Sequence, residues 1–259
     1  MQIPMYQVDA FTGRVFTGNP AAVCPLDAWL SDQQMQSIAA ENNLSETAFF
    51  VPEGNGYRLR WFTPRVEVDL CGHATLASAF VVFRHISPDL ATVLFQTRSG
   101  ELVVTRDGDR LTMDFPSRLP GPVTVHPQLV PALGDEPWQV LGASDYLVVY
   151  QTEEQVRALK PDMAKLAEVD LFAVIATAPG NDCDFVSRFF APSKGVPEDP
   201  VTGRAHCTLT PYWAERLGKK QLFARQVSKR GGELWCEDLG ERVRITGNAV
   251  EFFSGTITL

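Results

Sequence analysis

The chain has 259 residues, of which 45% are hydrophobic and 21% are charged, a composition typical of globular proteins. Its formal net charge of −8 argues against nucleic acid as a partner, because nucleic-acid binding needs a basic surface. No basic N-terminal segment leads into an apolar core and no apolar run has the length of a membrane span, so we expect no signal peptide, no membrane partner and a cytoplasmic location.

Strand-like stretches dominate the first half of the chain, and one amphipathic helix interrupts them. The alternating MYQVDAF predicts a strand, and LSDQQMQSIAAEN predicts a helix because Ser31 and Gln34 form a capping box. TAFFV and YRLRWF, joined by EGNG, predict a hairpin that turns at Asn55-Gly56. A meander of three more strands follows: ATVLFQT, GELVVT and RLTMDF.

A proline-rich stretch, FPSRLPGPVTVHP, breaks both helix and strand and predicts a boundary near residue 117. We therefore expect an N-terminal lobe at 1–117 and a C-terminal lobe at 118–259, with the last strand, near 250–259, able to join the first lobe. The second half repeats the mixture of elements: DYLVVY, LFAVIAT and DFVSRFF read as strands, TEEQVRAL as a helix, and QLFARQV begins a final meander to GTITL.

Two short matches indicate that the halves are duplicates. RWFTP (60–64) resembles RFFAP (188–192), and CGHATL (71–76) resembles TGRAHCTL (202–209) at a Gly-x-Ala core. Chance similarity is the alternative for strings this short. Because both matches occur in the same order half a chain length apart, we favour duplication, with each half a strand-rich shell around one helix.

The helix that begins at Gly72 is apolar on almost every side, so it must be surrounded by protein. Its first N–H groups lack partners within the helix, and the helix dipole favours an anion there. The partner is a capping side chain such as Asp69, water, or a substrate carboxylate, which a glycine lets approach closely. A second helix starts at Gly203, where Pro211 predicts a kink or a restart and Gly218 predicts the end.

Several motifs resemble one known family. DAFTGRVFTGNPAAV, NLSETAFF, RWFTPRVEVDLCGHAT and EDPVTGRAH look like the PhzF-type phenazine-biosynthesis isomerases, and the last thirty residues are similar to the end of diaminopimelate epimerases. The resemblance implies an α+β fold of two pseudo-symmetric lobes, each a curled, mostly antiparallel, barrel-like β-sheet around a central buried helix. It also implies an active site in the cleft between the lobes, a proton shift without any cofactor, and a homodimer.

The same resemblance assigns roles to three residues. It makes Glu46 the general acid/base, places His73 against the substrate, and makes Asp199 a contact to a substrate amino or hydroxyl group. From spacing alone each residue has a structural alternative: Glu46 as an exposed loop carboxylate, His73 as a packed core histidine, and Asp199 as a cap before Pro200. Glu198, beside Asp199, is expected in solvent.

The two helix starts predict which mechanism is disfavoured. Epimerases of this superfamily place a cysteine at each start, whereas this chain has Cys71 at the first and Thr202 at the second. A threonine hydroxyl is a poor base without help, so two-thiol racemisation is disfavoured and Cys71 is interpreted as a small buried residue.

Two further residues are candidate substrate contacts with open alternatives. Arg204 stands where many relatives have serine, and it can bind a second carboxylate, pair with Glu46 or Asp199, or point to solvent. Asn19 matches the N-terminal loop of the family, but an Asn before Pro20 also suits a simple turn.

Together these features predict an isomerase that shifts a proton within a small anionic, carboxylate-bearing substrate, with Glu46 as base and the starts at Gly72 and Gly203 binding the anion. The alternatives are a one-thiol epimerase or dehydratase that uses Cys71, and a non-catalytic ligand-binding or interaction module. No G-x-S-x-G elbow, nucleotide-binding glycine motif or metal-ligand cluster occurs, so we expect neither metal nor cofactor.

Overall fold

Seventeen β-strands and six α-helices make up the chain in the computed structural model, which describes residues 1–259. The elements belong to two compact units. The first unit contains Met1–Asp114 and Thr246–Leu259, and the second contains Phe115–Ile245. No helix in the structure combines the length and the apolar character that crossing a membrane would require.

The first unit is rich in strands, as its sequence predicts. In chain order its strands are β1 (Gln2–Ala10), β2 (Asn19–Pro25), β3 (Glu46–Glu53), β4 (Gly56–Phe62), β5 (Glu67–Val68), β6 (Thr92–Thr97), β7 (Gly100–Asp107), most of β8 (Arg110–Pro116) and, from the C-terminus, the whole of β17 (Ala249–Thr258). β17 pairs antiparallel with β1 along nearly its whole length. The predicted β3–β4 hairpin is present, but Glu53 pairs with Gly56, so its two-residue turn is Gly54-Asn55 and not Asn55-Gly56. Gly54 has φ +59, which glycine adopts without strain.

Two helices complete the first unit, α1 (Asp32–Asn42) and α2 (Gly72–Val81). The predicted capping box of Ser31 and Gln34 is present at the start of α1. α2 is buried from His73 to Ala79 and packs against β1, β2 and β3, and one π-helical turn follows it. An all-apolar helix in this position buries its whole circumference, which is the arrangement that its composition predicts.

The second unit has the same succession of elements. Its strands are β9 (Gln139–Gly142), β10 (Tyr146–Val149), β11 (Val174–Pro179), β12 (Phe185–Ala191), β13 (Val196–Asp199), β14 (Gln221–Gln226), β15 (Gly232–Asp238) and most of β16 (Arg242–Gly247), and its helices are α3 (Leu129–Leu133), α4 (Glu153–Ala158), α5 (Met163–Leu166) and α6 (Gly203–Leu217). α4 is the helix predicted from TEEQVRAL, and Thr152 and Gln155 form a capping box at its start.

Strand pairing within each unit confirms the duplication. In the first unit β2 pairs parallel with β3, β3 antiparallel with β4, and β4 parallel with β6. In the second unit β10, β11, β12 and β14 pair in the same three ways. A central buried helix follows the short strand β5 in one unit and β13 in the other. The mixed α+β fold class predicted from the sequence is therefore confirmed.

Pro211 lies inside α6 without ending it, because the helix runs on to Leu217 and stops at Gly218 in a left-handed conformation. A proline has no N–H, so it deprives the carbonyl four residues earlier, that of Cys207, of its helical donor. The backbone N–H of Arg118 donates to this carbonyl over 2.9 Å. A hydrogen bond from outside the helix thus replaces the missing one, and the predicted restart does not occur.

Candidate functional site

The start of α2, together with the starts of two neighbouring strands, gathers five of the predicted site residues. We call this group the α2 tip, and it comprises Asn19, Glu46, Cys71, Gly72 and His73. Asn19 is the first residue of β2 and Glu46 is the first residue of β3. These strands run parallel, so both side chains lie at the same end of the sheet, the end where α2 begins.

His73 is the centre of the α2 tip. Its Nε2 lies 3.1 Å from Glu46 Oε2, an ion-pair distance. On the other side of the ring, Nδ1 lies 3.1 Å from Asn19 Nδ2 and 3.5 Å from Cys71 Sγ. Glu46 Oε2 and His73 Nε2 are both buried and neither has a well-aligned hydrogen-bond partner. Both atoms therefore keep their capacity to bond to a molecule that enters beside them.

Burial and neighbouring groups set the protonation of this site. Burial is the largest influence on His73 and would lower its pKa, but Cys71 and Glu46 together outweigh it and raise the pKa well above its ordinary value of 6.5. The imidazolium is thus favoured. An imidazolium donates from Nδ1, so Asn19 must place its amide oxygen Oδ1, and not Nδ2, beside that nitrogen. A 180° rotation of the Asn19 amide exchanges the two atoms and leaves the shape of the side chain unchanged.

The Cys71 thiol holds its proton at neutral pH. Burial, followed by the nearby Glu46 carboxylate, raises its pKa to about 11. A buried neutral thiol is a weak nucleophile and a weak base, because the reactive form is the thiolate. These surroundings support the interpretation of Cys71 as a small packing residue.

Glu46, Cys71 and His73 also form a set of three metal-ligand types whose ligand atoms lie within 4.8 Å of one another, a grouping that the sequence analysis did not foresee. Glu46 faces Nε2 of the ring, whereas Cys71 faces Nδ1. For all three residues to hold one ion, Glu46 and Cys71 would have to turn toward the same ring nitrogen of His73, and the Cys71 thiol would have to lose its proton. The present geometry suits a proton relay through the ring better than a preformed metal cage.

The backbone of α2 presents its first amides at the same place. No side chain caps the helix at Cys71, and the first helical bond runs from Thr75 N–H to the Cys71 carbonyl. The amides of residues 72–74 precede that bond. Asp69, considered above as a cap, has a side chain that is 76% exposed and lies within ion-pair distance of Arg98. An anion is therefore the partner that the helix dipole favours most at this start.

The second group of predicted residues surrounds the start of α6. We call it the α6 tip, and it comprises Asp199, Thr202, Gly203, Arg204 and one residue that the sequence analysis missed, Gln226. The Thr202 hydroxyl donates to Asp199 Oδ2 over 2.5 Å. Gln226 Nε2 donates to the Asp199 carbonyl over 2.7 Å and to Thr202 Oγ1 over 3.2 Å, and its Oε1 accepts from Thr202 N–H over 2.8 Å. The Thr202 hydroxyl is thus oriented as a donor to Asp199, which makes it unsuited to act as a base.

His206, which lies about one helical turn beyond Thr202, differs from His73 in its protonation. Its Nδ1–H donates to the Thr202 carbonyl over 2.9 Å, which leaves Nε2 as a buried acceptor with no partner. Burial lowers its pKa to about 4, so the ring is neutral. The ring of His206 packs against that of Phe185, which suits a packing residue.

Arg204 adopts an arrangement that the sequence analysis did not consider. Its guanidinium pairs with Asp145, with Nη2 2.9 Å from Oδ1 and Nε 3.4 Å from Oδ2, and it lies over the ring of Phe172. Asp145 is fully buried, so its charge needs this partner. Glu198 was expected in solvent, but it forms a two-armed ion pair with Arg188 over 2.7 and 3.0 Å.

One of the missed residues carried a usable signal. In β14 the buried positions alternate with less buried ones, and Gln226 occupies a buried position in line with Leu222 and Ala224. A polar residue on the apolar side of an alternating strand indicates a hydrogen-bonding role. Asp145 offered no such signal, because its partner Arg204 is distant in sequence.

Comparison with known proteins defines the class of protein and then the family. The fold is that of a hydroxyproline epimerase from Agrobacterium vitis, with a TM-score of 0.61 over 100% of this chain and 93% of that one, at 10% identity. The predicted diaminopimelate epimerase-like fold is thereby confirmed. Residues 8–255 match the family described as phenazine biosynthesis-like protein. The chain belongs to this family, as the sequence resemblance predicted.

Two close relatives support the same assignment. An uncharacterized isomerase of Pseudomonas aeruginosa is 56% identical over 260 residues, and the match covers 100% of both chains. A crystal structure of a PhzF-family phenazine biosynthesis protein from Enterococcus faecalis is 48% identical and superposes with a TM-score of 0.98 over 100% of both chains.

Proposed function

We propose that the protein is an isomerase that moves a proton within a small carboxylate-bearing molecule, with Glu46 as the general acid/base. The observation that carries this proposal is the pair of buried atoms Glu46 Oε2 and His73 Nε2, which lie 3.1 Å apart and lack aligned hydrogen-bond partners. They lie at the start of a helix that no side chain caps. An acid/base group beside an anion-binding helix start is the arrangement that proton abstraction next to a carboxylate needs.

The proposed reaction uses only groups of this chain. The substrate carboxylate binds the amides at the start of α2, and Gly72 lets it approach the backbone. Glu46 removes a proton from carbon: the C–H bond breaks, an O–H bond forms on Glu46, and the electron pair passes into the conjugated part of the substrate. The positive His73 stabilises the charge that develops. Glu46 then returns the proton to a different carbon and is regenerated.

The remaining site residues stay predictions. Asn19, Cys71, Asp199, Thr202, Gly203 and Arg204 are predicted to line the substrate site, and the resemblance also implies a cleft between the lobes and a homodimer. The Asp145 partner of Arg204 supports an indirect role for that residue, because its guanidinium is already engaged. Asn19 and Cys71 both contact His73, which supports a role in orienting the imidazole.

Hydrogen exchange at carbon tests the proposal without knowledge of the product. The wild type is incubated in deuterated water with a panel of small α-amino and α-hydroxy acids, and deuterium at carbon is measured by NMR. Glu46→Gln should lower the exchange rate at least ~100-fold, since positioned acid/base groups contribute effects of this size. The matched control is Glu53→Gln, at the exposed end of the same strand, which should leave the rate unchanged.

Two outcomes would contradict the proposal. A Glu46→Gln variant that exchanges at the wild-type rate rules out the assigned base. An acid that binds tightly and is recovered without deuterium favours the alternative of a non-catalytic ligand-binding module.

A further inference from the structure

The two helix starts are held by contacts that the duplication reproduces. In the first unit Arg60 forms a two-armed ion pair with Glu67 over 2.7 and 2.8 Å. In the second unit Arg188 does the same with Glu198. Each glutamate stands the same distance ahead of the helix glycine, so each pair braces the short strand that leads into the helix.

A second reproduced contact holds the turn just before each helix. Ser99 Oγ donates to the Asp69 carbonyl over 2.8 Å, and Ser228 Oγ donates to the Pro200 carbonyl over 2.8 Å. Because both braces occur in both units, they serve the shared scaffold and do not distinguish the chemistry of the two tips.

A third position breaks the repeat. β6 ends at Thr97 and β14 ends at Gln226, and the parallel pairing of these strands with β4 and β12 puts the two residues at corresponding places. The Thr97 hydroxyl donates to the nearby Gly100 carbonyl and does not reach the helix start. Gln226 is long enough to reach the Asp199–Thr202 turn.

The side chain of Gln226 is 1% exposed and both ends of its amide are engaged. Its Oε1 accepts from the N–H of Thr202, the residue that precedes α6, so it satisfies a backbone donor that no cap provides for. Its Nε2 donates to the Thr202 hydroxyl, which leaves that hydroxyl's own hydrogen to point at Asp199 Oδ2. The direction of each donor in this chain is thereby determined.

We propose that Gln226 is a positioning residue that holds the Thr202 backbone and hydroxyl and thereby sets the orientation of the Asp199 carboxylate for substrate binding at the α6 tip. This inference rests on the proposed function, because it assumes that Asp199 contacts the substrate. It acts through Asp199 and Thr202 and does not itself take part in proton transfer. Loss of Gln226 should therefore weaken substrate binding more than it slows the chemical step.

Two variants and one control test the inference. Gln226→Met keeps the length of the side chain and removes its hydrogen bonds. Gln226→Thr installs the residue that the first unit carries at the corresponding place, so it serves if the methionine variant fails to fold. Ser228→Ala is the matched control, since it removes a hydrogen bond from the same turn but belongs to the scaffold that both units share.

The first measurement needs no substrate. Hydrogen exchange of the Thr202 amide is followed by NMR. It should become at least ~tenfold faster in both Gln226 variants, because they lack the oxygen that accepts from this amide, and it should stay unchanged in Ser228→Ala. The carboxyl carbon signal of Asp199 should shift in the same variants.

The second measurement uses the acid of the panel that exchanges fastest with the wild type. We expect KM to rise ~tenfold or more while kcat changes less than ~threefold in the Gln226 variants, the pattern of lost binding. Unchanged Thr202 exchange, or a KM equal to that of Ser228→Ala, would overturn the inference. If no acid exchanges even with the wild type, the proposed function fails, while the Thr202 amide still decides separately whether Gln226 holds the tip.

Discussion

The α2 tip and the α6 tip begin alike and differ in the chemistry that they carry. Each follows a short strand braced by an arginine–glutamate pair, and each helix opens on a glycine with no side-chain cap. The α2 tip gathers three ionisable side chains, Glu46, Cys71 and His73. The α6 tip gathers a hydrogen-bonded network built on Gln226. The duplicated scaffold therefore conserves its supports while each copy specialises.

The two buried histidines express this difference most directly. His73 has Cys71 beside one ring nitrogen and the Glu46 carboxylate beside the other, so its pKa is raised well above 6.5 in spite of burial. His206 has only a backbone carbonyl beside one nitrogen and nothing beside the other, so burial lowers its pKa to about 4. Both rings are almost completely buried, so the difference in pKa comes from the side chains beside the ring nitrogens and not from burial.

This contrast predicts opposite pH dependences of stability, the largest effect that we expect. Unfolded histidine binds a proton near pH 6.5, whereas native His206 binds one only near pH 4, where its lowered pKa lies. As the pH is lowered through this range, the unfolding free energy therefore falls by roughly 3 kcal/mol. His73 binds its proton more tightly in the native state. Proton binding by His73 therefore adds to the unfolding free energy. This contribution is complete below the pKa of His73 in the unfolded chain and is lost as the pH rises through its raised pKa in the native protein.

Urea unfolding at a series of pH values measures both contributions by difference. His206→Gln should reduce the acid-side loss of stability relative to the wild type, whereas His73→Gln should reduce the loss on the alkaline side. If His206→Gln retained the full acid-side slope, the neutral buried state assigned to His206 would be wrong.

The scaffold was accessible from the sequence because its signals are local. The capping boxes at Ser31 and Thr152 and the Gly-x-Ala repeats depend on residues a few positions apart, and each produced the expected element. The resemblance added the family and the grouping at the α2 tip, since its motifs include Glu46 and His73.

The contacts that distinguish the tips were not accessible, because they join residues far apart in the chain. Nothing near Arg204 indicates that its partner is Asp145, and nothing near Pro211 indicates that Arg118 will supply the missing hydrogen bond. Ion-pair partners depend on tertiary structure, and the same limit explains why Glu198 was expected in solvent.

Cys71 gives a smaller effect that sharpens the comparison of mechanisms. With a pKa of about 11 the thiol is neutral, so Cys71→Ser should change the deuterium exchange rate by less than ~tenfold. Cys24→Ser is the matched control for burying a hydroxyl, because Cys24 is also fully buried in the first unit. A loss of ~1,000-fold for Cys71→Ser alone would favour the one-thiol epimerase or dehydratase, since removing an essential nucleophile or base has effects of this order.

The smallest effect concerns the supports that the two tips share. Double-mutant cycles with Arg→Met and Glu→Gln should give coupling free energies of about 1 kcal/mol for Arg60–Glu67 and for Arg188–Glu198, because both pairs are two-armed and mostly buried. Arg188→Met alone should cost more than Arg60→Met, since Arg188 also donates to the carbonyls of Val156 and Leu159, whereas the further partner of Arg60 is the exposed carboxylate of Asp32. Exchange rates should stay within ~twofold, because neither pair contacts the reacting groups. Coupling in one unit but not the other would show that the supports have diverged along with the chemistry, against the shared scaffold argued above.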